Sequence, residues 1–107
     1  MNFSCFASDV KTMRISEFSN NKVNVWKTII YPNKNQILKM HRREYNRVVV
    51  ALDTGTLKIT NNKGKTHYLN LEKDHAYYLT RDTRDELHTD ENISEHPIKV
   101  LVIELKR

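Results

Sequence analysis

A short basic segment, KMHRREYNR at positions 39–47, places a histidine, two arginines and a glutamate next to one another, with a third arginine at its end. Deprotonated histidine and glutamate bind metal ions. Arginine stays cationic and binds carboxylates or phosphates through parallel hydrogen bonds. The segment therefore suggests three roles: holding a metal ion, holding an anion, or only stabilising the fold.

Strand alternation determines which of these side chains share a face. In QILKMHRR, at 36–43, the apolar residues Leu38 and Met40 alternate with polar neighbours, so we predict a strand there. Side chains two residues apart in a strand point the same way. His41 and Arg43 are therefore expected on one face, with the two apolar residues on the other.

The rest of the chain predicts further short antiparallel strands, since its segments alternate in polarity or are rich in β-branched and aromatic residues. The predicted strands are 21–31, three runs within 47–71, 76–80, 84–89 and 97–105, with a polar loop at 90–96. Both glycines of the protein lie in the turns that separate the three middle runs, where we expect positive φ. Because no segment has helical periodicity, the sequence predicts an all-β barrel or jelly roll.

Length and composition restrict the class of protein. A chain of 107 residues suits one domain, which we divide into an N-terminal arm or added strand at 1–20 and a barrel domain at 21–107. The longest apolar run, 48–52, is far shorter than the roughly 20 residues of a membrane span. Cys5 is the only cysteine, which excludes an intrachain disulfide and favours a cytoplasmic location.

The net charge of +5 raises the possibility of nucleic-acid binding. The basic residues are scattered, however, and acidic residues are mixed among them except around 34–47. A generally basic, solvated surface is therefore favoured, and nucleic acid is not an expected partner.

The last predicted strand is apolar on both faces. One face carries Ile98, Val100 and Val102, and the other carries Leu101, Ile103 and Leu105. A strand covered on both sides lies in the middle of a barrel or sandwich, or in a sheet whose outer face meets a partner chain. We therefore expect a homodimer.

The order of these elements resembles a small single-domain cupin of the RmlC-like type. The resemblance rests on the strand that reaches His41, the run of valines, the two glycine turns, the YYL strand at 77–79 and the final PIKVLVIELK. It covers residues 21–107 and is most similar to short bacterial cupins grouped with the β-alanine degradation protein. It implies a double-stranded β-helix and, in an intact member, a metal held by three histidines and a glutamate in the barrel mouth.

The metal motifs that the resemblance implies are degenerate in this chain. In the first motif, Gly-x5-His-x-His-x(3–4)-Glu-x6-Gly, only His41 and Gly55 match, and the second histidine falls on Arg43. In the second motif, Gly-x5-Pro-x-Gly-x2-His-x3-Asn, no position matches, and the histidine falls on Asp85. Arginine does not coordinate metals and repels a cation electrostatically, so we expect no bound metal or other cofactor.

We predict that Arg43 and Asp85 instead form an ion pair across the barrel, in the space of the missing metal. The same pocket is predicted to bind a small anion or carboxylate. The predicted ligand-binding residues are His41, Arg43, Tyr45, Arg47 and Asp85.

A metal-dependent cupin enzyme, of the dioxygenase or isomerase type and acting on a small organic acid, is the alternative. Its ligands would be His41, Glu86 and His88, holding iron, manganese, nickel or zinc. Alternation argues against this set, because apolar Leu87 is expected to point into the barrel together with Asp85, which would turn His88 outward. A non-catalytic structural or interaction protein is the third possibility.

The remaining histidines and the aromatic residues predict structural roles. His67 lies two residues before Leu69 on the expected core face and is predicted to be a packed histidine. His75 and His96 are predicted to be solvated. Trp26, Tyr77 and Tyr78 are predicted to be core or interface aromatics.

Overall fold

The computed structural model describes residues 13–32, 44–81 and 87–106. Within these ranges the chain forms eight strands and no helix, which confirms the predicted all-β class. The strands are β1 (Met13–Ser19), β2 (Val23–Ile30), β3 (Arg47–Ala51), β4 (Gly55–Asn61), β5 (Thr66–Leu71), β6 (Ala76–Leu79), β7 (His88–Asn92) and β8 (Ile98–Leu105). The predicted strand at 36–43 lies outside the described residues, as do positions 84–86 of another.

The strands form two antiparallel sheets. The first has five strands in the order β1-β2-β8-β3-β6, and the second has three in the order β5-β4-β7. β8 is the central strand of the larger sheet, which agrees with its near-continuous apolar sequence. β7 extends to Asn92, three residues into the predicted loop, because it continues to pair with β4 as far as Leu57.

The core lies between the inner faces of the two sheets. Its buried residues are Trp26, Ile30, Val49, Ala51, Leu57, Leu71, Ile98, Val100 and Val102. In β8 the predicted alternation is confirmed, since 98, 100 and 102 are buried while 101, 103 and 105 on the outer face are only partly covered. Among the described residues there is no helix with the length and hydropathy needed to cross a membrane.

The two glycines serve different purposes, and the expectation for one of them was wrong. Gly64 has a φ of 85° in the turn between β4 and β5, as predicted. Gly55 does not share this conformation. A Cβ added there would lie 2.5 Å from Cδ1 of Ile98, so glycine is required by the close approach of β4 to the buried start of β8.

β1 adds an edge strand to the larger sheet. It pairs with β2 along its length, with an irregularity between Ser16 and Phe18. The Arg14 guanidinium lies 3.6 Å from the centroid of the Trp26 ring. Trp26 is only 3% exposed, as expected for a core aromatic, so this cation-π contact attaches β1 to the barrel core.

Candidate anion-binding site

A cavity of about 660 Å³ lies at the end of the barrel where β3, β5 and β7 begin and where β4 and β6 end. The described residues that line it are Arg47, Ile59, Asn61, Lys65, Thr66, His67, Leu69, Leu79, Thr80, Arg81 and His88. Both sheets contribute, so the cavity opens into the space between them.

The charged side chains among the described residues that line this cavity have one sign. Arg47, Lys65 and Arg81 are fixed cations, and two histidines stand with them. The lining that belongs to the described ranges includes no aspartate or glutamate. Clustered cations in a concave site favour anions, because each attracts the same ligand charge and can donate a charge-assisted hydrogen bond.

Arg47 is placed by the strand that begins with it. Val49 and Ala51 are buried in the core, so the alternation of β3 directs Arg47 to the same inner face. Its Nη1 lies 3.5 Å from the Thr80 carbonyl oxygen, and its cross-strand neighbour in β8 is Glu104. Arg47, a half-buried residue, therefore stands at the boundary between the charged rim and the apolar interior.

Arg81 is held by a hydrogen bond to its backbone. The Arg81 N–H donates to Oδ1 of Asn46 over 2.8 Å. The Asn46 carbonyl in turn accepts from the Leu105 N–H over 2.9 Å. Asn46 thus joins the start of β3, the end of β6 and the end of β8, and it fixes the backbone of Arg81 beside the cavity.

Lys65 is placed by the hairpin between β4 and β5. Oδ1 of Asn61 accepts hydrogen bonds from the N–H groups of Lys63 and Lys65, each over 2.9 Å. The left-handed Gly64 completes the turn. Alternation along β5 then puts Lys65 on the same side as His67 and Leu69, both of which also line the cavity.

His88 points into the barrel, contrary to the prediction that it points out. It is 7% exposed, whereas Leu87 is 39% exposed. The register with β4 explains the error, since the inward residues of β7 are His88, Asp90 and Asn92. These polar groups are tolerated because they find partners: His88 Nε2 lies 3.8 Å from Asp90 Oδ1, and the Asn92 amide donates to two carbonyl oxygens, each over 2.8 Å.

Other histidine and tyrosine predictions had mixed outcomes. His67 is not packed: it is exposed and forms part of the cavity wall. His75 and His96 are exposed, as predicted, although Nε2 of His96 lies 2.6 Å from the Thr54 carbonyl oxygen. Tyr77 packs partly against the core and accepts a backbone hydrogen bond from the residue-72 N–H over 2.8 Å.

Comparison with solved structures identifies the architecture. The chain is similar to a cupin domain from Bordetella pertussis, with a TM-score of 0.76 and 21% sequence identity over 91% of this chain and 95% of that chain. The fold is that of a cupin. An RmlC-like cupin with a double-stranded β-helix from Methanocaldococcus jannaschii gives a TM-score of 0.66 at 9% identity, covering 89% of this chain and 80% of that one.

An RmlC-like cupin from Desulfovibrio desulfuricans is similar at a TM-score of 0.63 and 14% identity, over 91% of this chain and 84% of that one. The sequence matches no protein-family model and no curated protein. Likeness at these identities establishes the cupin fold, and a fold carries many activities. The function has to be argued from the site.

Within the cupin barrel, the residues predicted to bind a ligand are only partly described. Arg47 lines the cavity, as given above. Tyr45 is 39% exposed and lines an adjacent cavity of about 430 Å³ that also touches Arg81. Four residues of the sequence predictions lie outside the described residues: His41, Arg43, Asp85 and Glu86. The proposed pair of Arg43 and Asp85 therefore stays a prediction.

The metal site of an intact cupin does not fit the described side chains. Among the ranges that the structure describes, no three histidine, cysteine, aspartate or glutamate residues come together as a possible metal site. His88 and Asp90 form a pair rather than a triad, and the cations Arg47, Lys65 and Arg81 surround the same space. These positive charges would repel a divalent cation, so we assign no metal-dependent chemistry to this cavity.

Lys65, Arg81 and Asp90 were not predicted from the sequence. The first two could have been found from strand alternation. Lys65 lies four residues before Leu69 and Arg81 lies two residues after Leu79, so each is expected on the same inner face as that leucine. Asp90 gave no such signal, since an aspartate next to turn-forming residues usually indicates a loop.

Proposed function

We propose that this cupin barrel binds a small organic carboxylate in the 660 Å³ cavity, without a tightly bound metal. The observation that carries the proposal is the convergence of Arg47, Lys65 and Arg81, from three different strands or strand ends, on one cavity whose described lining has no carboxylate. The proposal includes the prediction that His41, Arg43 and Asp85 also contact the bound ligand.

The apolar part of the wall favours an organic anion over an inorganic one. Ile59, Leu69 and Leu79 lie beside the cations. A carboxylate can accept paired hydrogen bonds from a guanidinium, while the carbon atoms of the ligand cover the apolar side chains. Lys65 and Arg81 are exposed, so solvent screens their charges and we expect a modest affinity.

A thermal-unfolding screen with small carboxylic acids tests the proposal. A ligand that binds only the folded protein raises the unfolding temperature, by the equivalent of about 2.7 kcal/mol at 100 times its dissociation constant. We expect carboxylates to stabilise the wild type more than sodium chloride at equal ionic strength. Arg81→Met and Lys65→Met should reduce that stabilisation.

Lys63→Met is the matched control, because Lys63 lies in the same hairpin as Lys65 but does not line the cavity. It should leave the ligand response unchanged. A wild type that no carboxylate stabilises beyond chloride would contradict the proposal. If Lys63→Met and Lys65→Met lose the same amount of carboxylate-induced stabilisation, that stabilisation depends on net charge and not on the cavity.

The metal-dependent enzyme is the second candidate, and one observation favours it. His88 points into the barrel, so the alternation argument raised against the set of His41, Glu86 and His88 no longer applies. The other two proposed ligands lie outside the described residues. This candidate requires a stoichiometric iron, manganese, nickel or zinc ion, which metal analysis detects directly.

We also propose a homodimer formed through the outer face of the five-stranded sheet. One row of cross-strand neighbours on that face is apolar across all five strands: Phe18, Val25, Ile103, Val48 and Tyr78. The outer face of the three-stranded sheet is polar, with rows such as Thr66, Thr60 and Thr89. Val25 is already 4% exposed within one chain, and a second copy can cover the exposed ends of the row, Phe18 and Tyr78, by twofold symmetry.

Two finer predictions accompany the proposal. The similarity to short bacterial cupins grouped with the β-alanine degradation protein rests on motif spacing and is compatible with a small carboxylate ligand. The cytoplasmic location rests on the single cysteine, Cys5.

A further inference from the structure

A second, smaller cavity of about 70 Å³ continues from the anion cavity into the core. Five residues line both spaces: Arg47, Ile59, Leu69, Leu79 and His88. The two cavities therefore meet at a ring in which one guanidinium and one imidazole stand among three aliphatic side chains. A ligand held by Arg47 lies at the entrance to the inner cavity.

Beyond this ring the walls are largely hydrocarbon. Val49, Leu57, Leu71, Val100 and Val102 line the inner cavity, and each is at most 7% exposed. This hydrocarbon part of the wall favours apolar groups, because water finds few hydrogen-bond partners there. The inner cavity thus suits the carbon chain of a ligand.

The volume limits the length of that chain. A dry cavity of about 150 Å³ in another protein accommodates benzene, which has six carbons. The inner cavity here, at about 70 Å³, is roughly half that size and corresponds to about three carbon atoms. Its volume excludes a large group.

Asp90 limits the chemistry of the inner cavity, next to the ring, where it is paired across strands with Ile59. Its carboxylate lines the inner cavity, where its side chain is 14% exposed and 3.8 Å from His88. A second carboxylate on the ligand would meet this charge in a low-dielectric space and be repelled. The inner cavity therefore discriminates against dicarboxylates.

We infer that the ligand is a short aliphatic monocarboxylate of about four carbons, its head at Arg47 and its chain in the inner cavity. This inference rests on the proposed anion site and names its ligand class. Each methylene that enters the inner cavity strengthens binding about fourfold, so butanoate binds about 15-fold more tightly than acetate. Hexanoate exceeds the available space and gains nothing over butanoate.

Titration calorimetry of the wild-type chain with acetate, propanoate, butanoate, hexanoate and succinate tests this order. A rise from acetate to butanoate, with no gain for hexanoate and weaker binding of succinate, supports the inference. Equal affinities for acetate and butanoate overturn it while leaving the anion site intact. Binding of none of these acids overturns the anion site itself.

A sixth acid, 4-aminobutanoate, checks the role of Asp90. It has as many carbons as butanoate but ends in a cation. If it binds more tightly than butanoate, Asp90 recognises the ligand directly, and the apolar-chain assignment is wrong. If it binds more weakly, the assignment holds.

Val49→Ile adds one methyl group to the wall of the inner cavity, and Val48→Ile adds the same group on the outer face of the same strand. Val49→Ile should bring butanoate down to the affinity of acetate without changing acetate, while Val48→Ile changes neither. Val100→Ile gives the same test from β8 if Val49→Ile does not fold. Unchanged butanoate binding in a folded inner-cavity variant overturns the inference.

Discussion

The side chain of Asn46 holds the backbone of Arg81: its Oδ1 accepts the Arg81 N–H over 2.8 Å, across 35 positions of the sequence. Asn46 directly precedes Arg47, so one residue connects two of the three cations of the cavity. Because the contact is to the backbone, it fixes where the Arg81 side chain begins. Asn46 is thus a positioning residue for the anion site.

Asn46→Ala should weaken carboxylate binding without removing any charge. A hydrogen bond of this kind contributes about 1 kcal/mol, so we expect a loss of three- to tenfold in affinity, measured by calorimetry. Stability should fall by a similar amount.

Asn20→Ala is the matched control for this prediction. Oδ1 of Asn20 accepts the N–H groups of Lys22 and Val23, over 2.8 and 2.9 Å, in the turn between β1 and β2. Its loss should lower stability comparably and leave carboxylate affinity unchanged. Equal affinities of the two variants would mean that Asn46 serves stability alone.

Gly55→Ala should destabilise the fold through overpacking. The new Cβ would lie 2.5 Å from Ile98 Cδ1 and 2.9 Å from Ser94 Oγ. Overpacking of a core costs about 1–3 kcal/mol, which urea denaturation measures. Adding Ile98→Val removes the closest methyl group and should restore part of the loss.

Gly64→Ala separates this steric effect from backbone strain. Its φ of 85° is unfavourable for alanine, but an added Cβ has no heavy atom within 4 Å. We expect a cost of about 1–2 kcal/mol that Ile98→Val does not restore. Rescue of both glycine variants by Ile98→Val would contradict the steric explanation.

The strands could be predicted from the sequence wherever the apolar residues are the buried ones and the polar residues are exposed. In β8 the alternation of large aliphatic residues gave the correct inner face, because burying Ile98, Val100 and Val102 is the dominant energetic term. The order of elements followed from the resemblance to cupins, and Arg47, which was predicted to bind a ligand, lines the cavity. Local sequence and tertiary packing agree in these strands.

β7 could not be predicted in the same way, because its inward residues are polar. His88, Asp90 and Asn92 face the barrel, and partners from elsewhere in the chain satisfy them, such as the Ile30 carbonyl oxygen. Leu87, the only aliphatic residue near the start of β7, is exposed instead. The rule that apolar residues point inward fails where long-range hydrogen bonds compensate burial, and a sequence does not display such bonds.

Metal analysis distinguishes the carboxylate-binding barrel from the metal-dependent enzyme. We expect purified wild-type protein to contain well under one equivalent of iron, manganese, nickel or zinc by mass spectrometry, because the cations around His88 oppose a divalent ion. Chelation should then leave carboxylate binding and the unfolding temperature unchanged. One equivalent of metal that disappears in His88→Leu would instead support the enzyme.

The oligomeric state tests the proposed use of the outer face of the larger sheet. Phe18 and Tyr78 are 55% and 58% exposed at the two ends of the five-residue apolar row, so lysine at either position should be tolerated by the folded monomer. In a dimer each lysine would be buried against apolar side chains, at a cost of several kcal/mol. Sedimentation equilibrium should give twice the mass of one chain for wild type and the monomer mass for Phe18→Lys and Tyr78→Lys.

Thr60→Lys provides the control for the dimer prediction, because Thr60 lies on the polar outer face of the three-stranded sheet, between Thr66 and Thr89. It adds the same charge and should leave the protein dimeric. If the wild type sediments as a monomer, the proposal that a second copy covers the apolar row is wrong. If Thr60→Lys also dissociates the dimer, the outer face of the larger sheet is not the specific contact. Either the other sheet forms the contact, or added positive charge alone separates the chains, since each already carries +5.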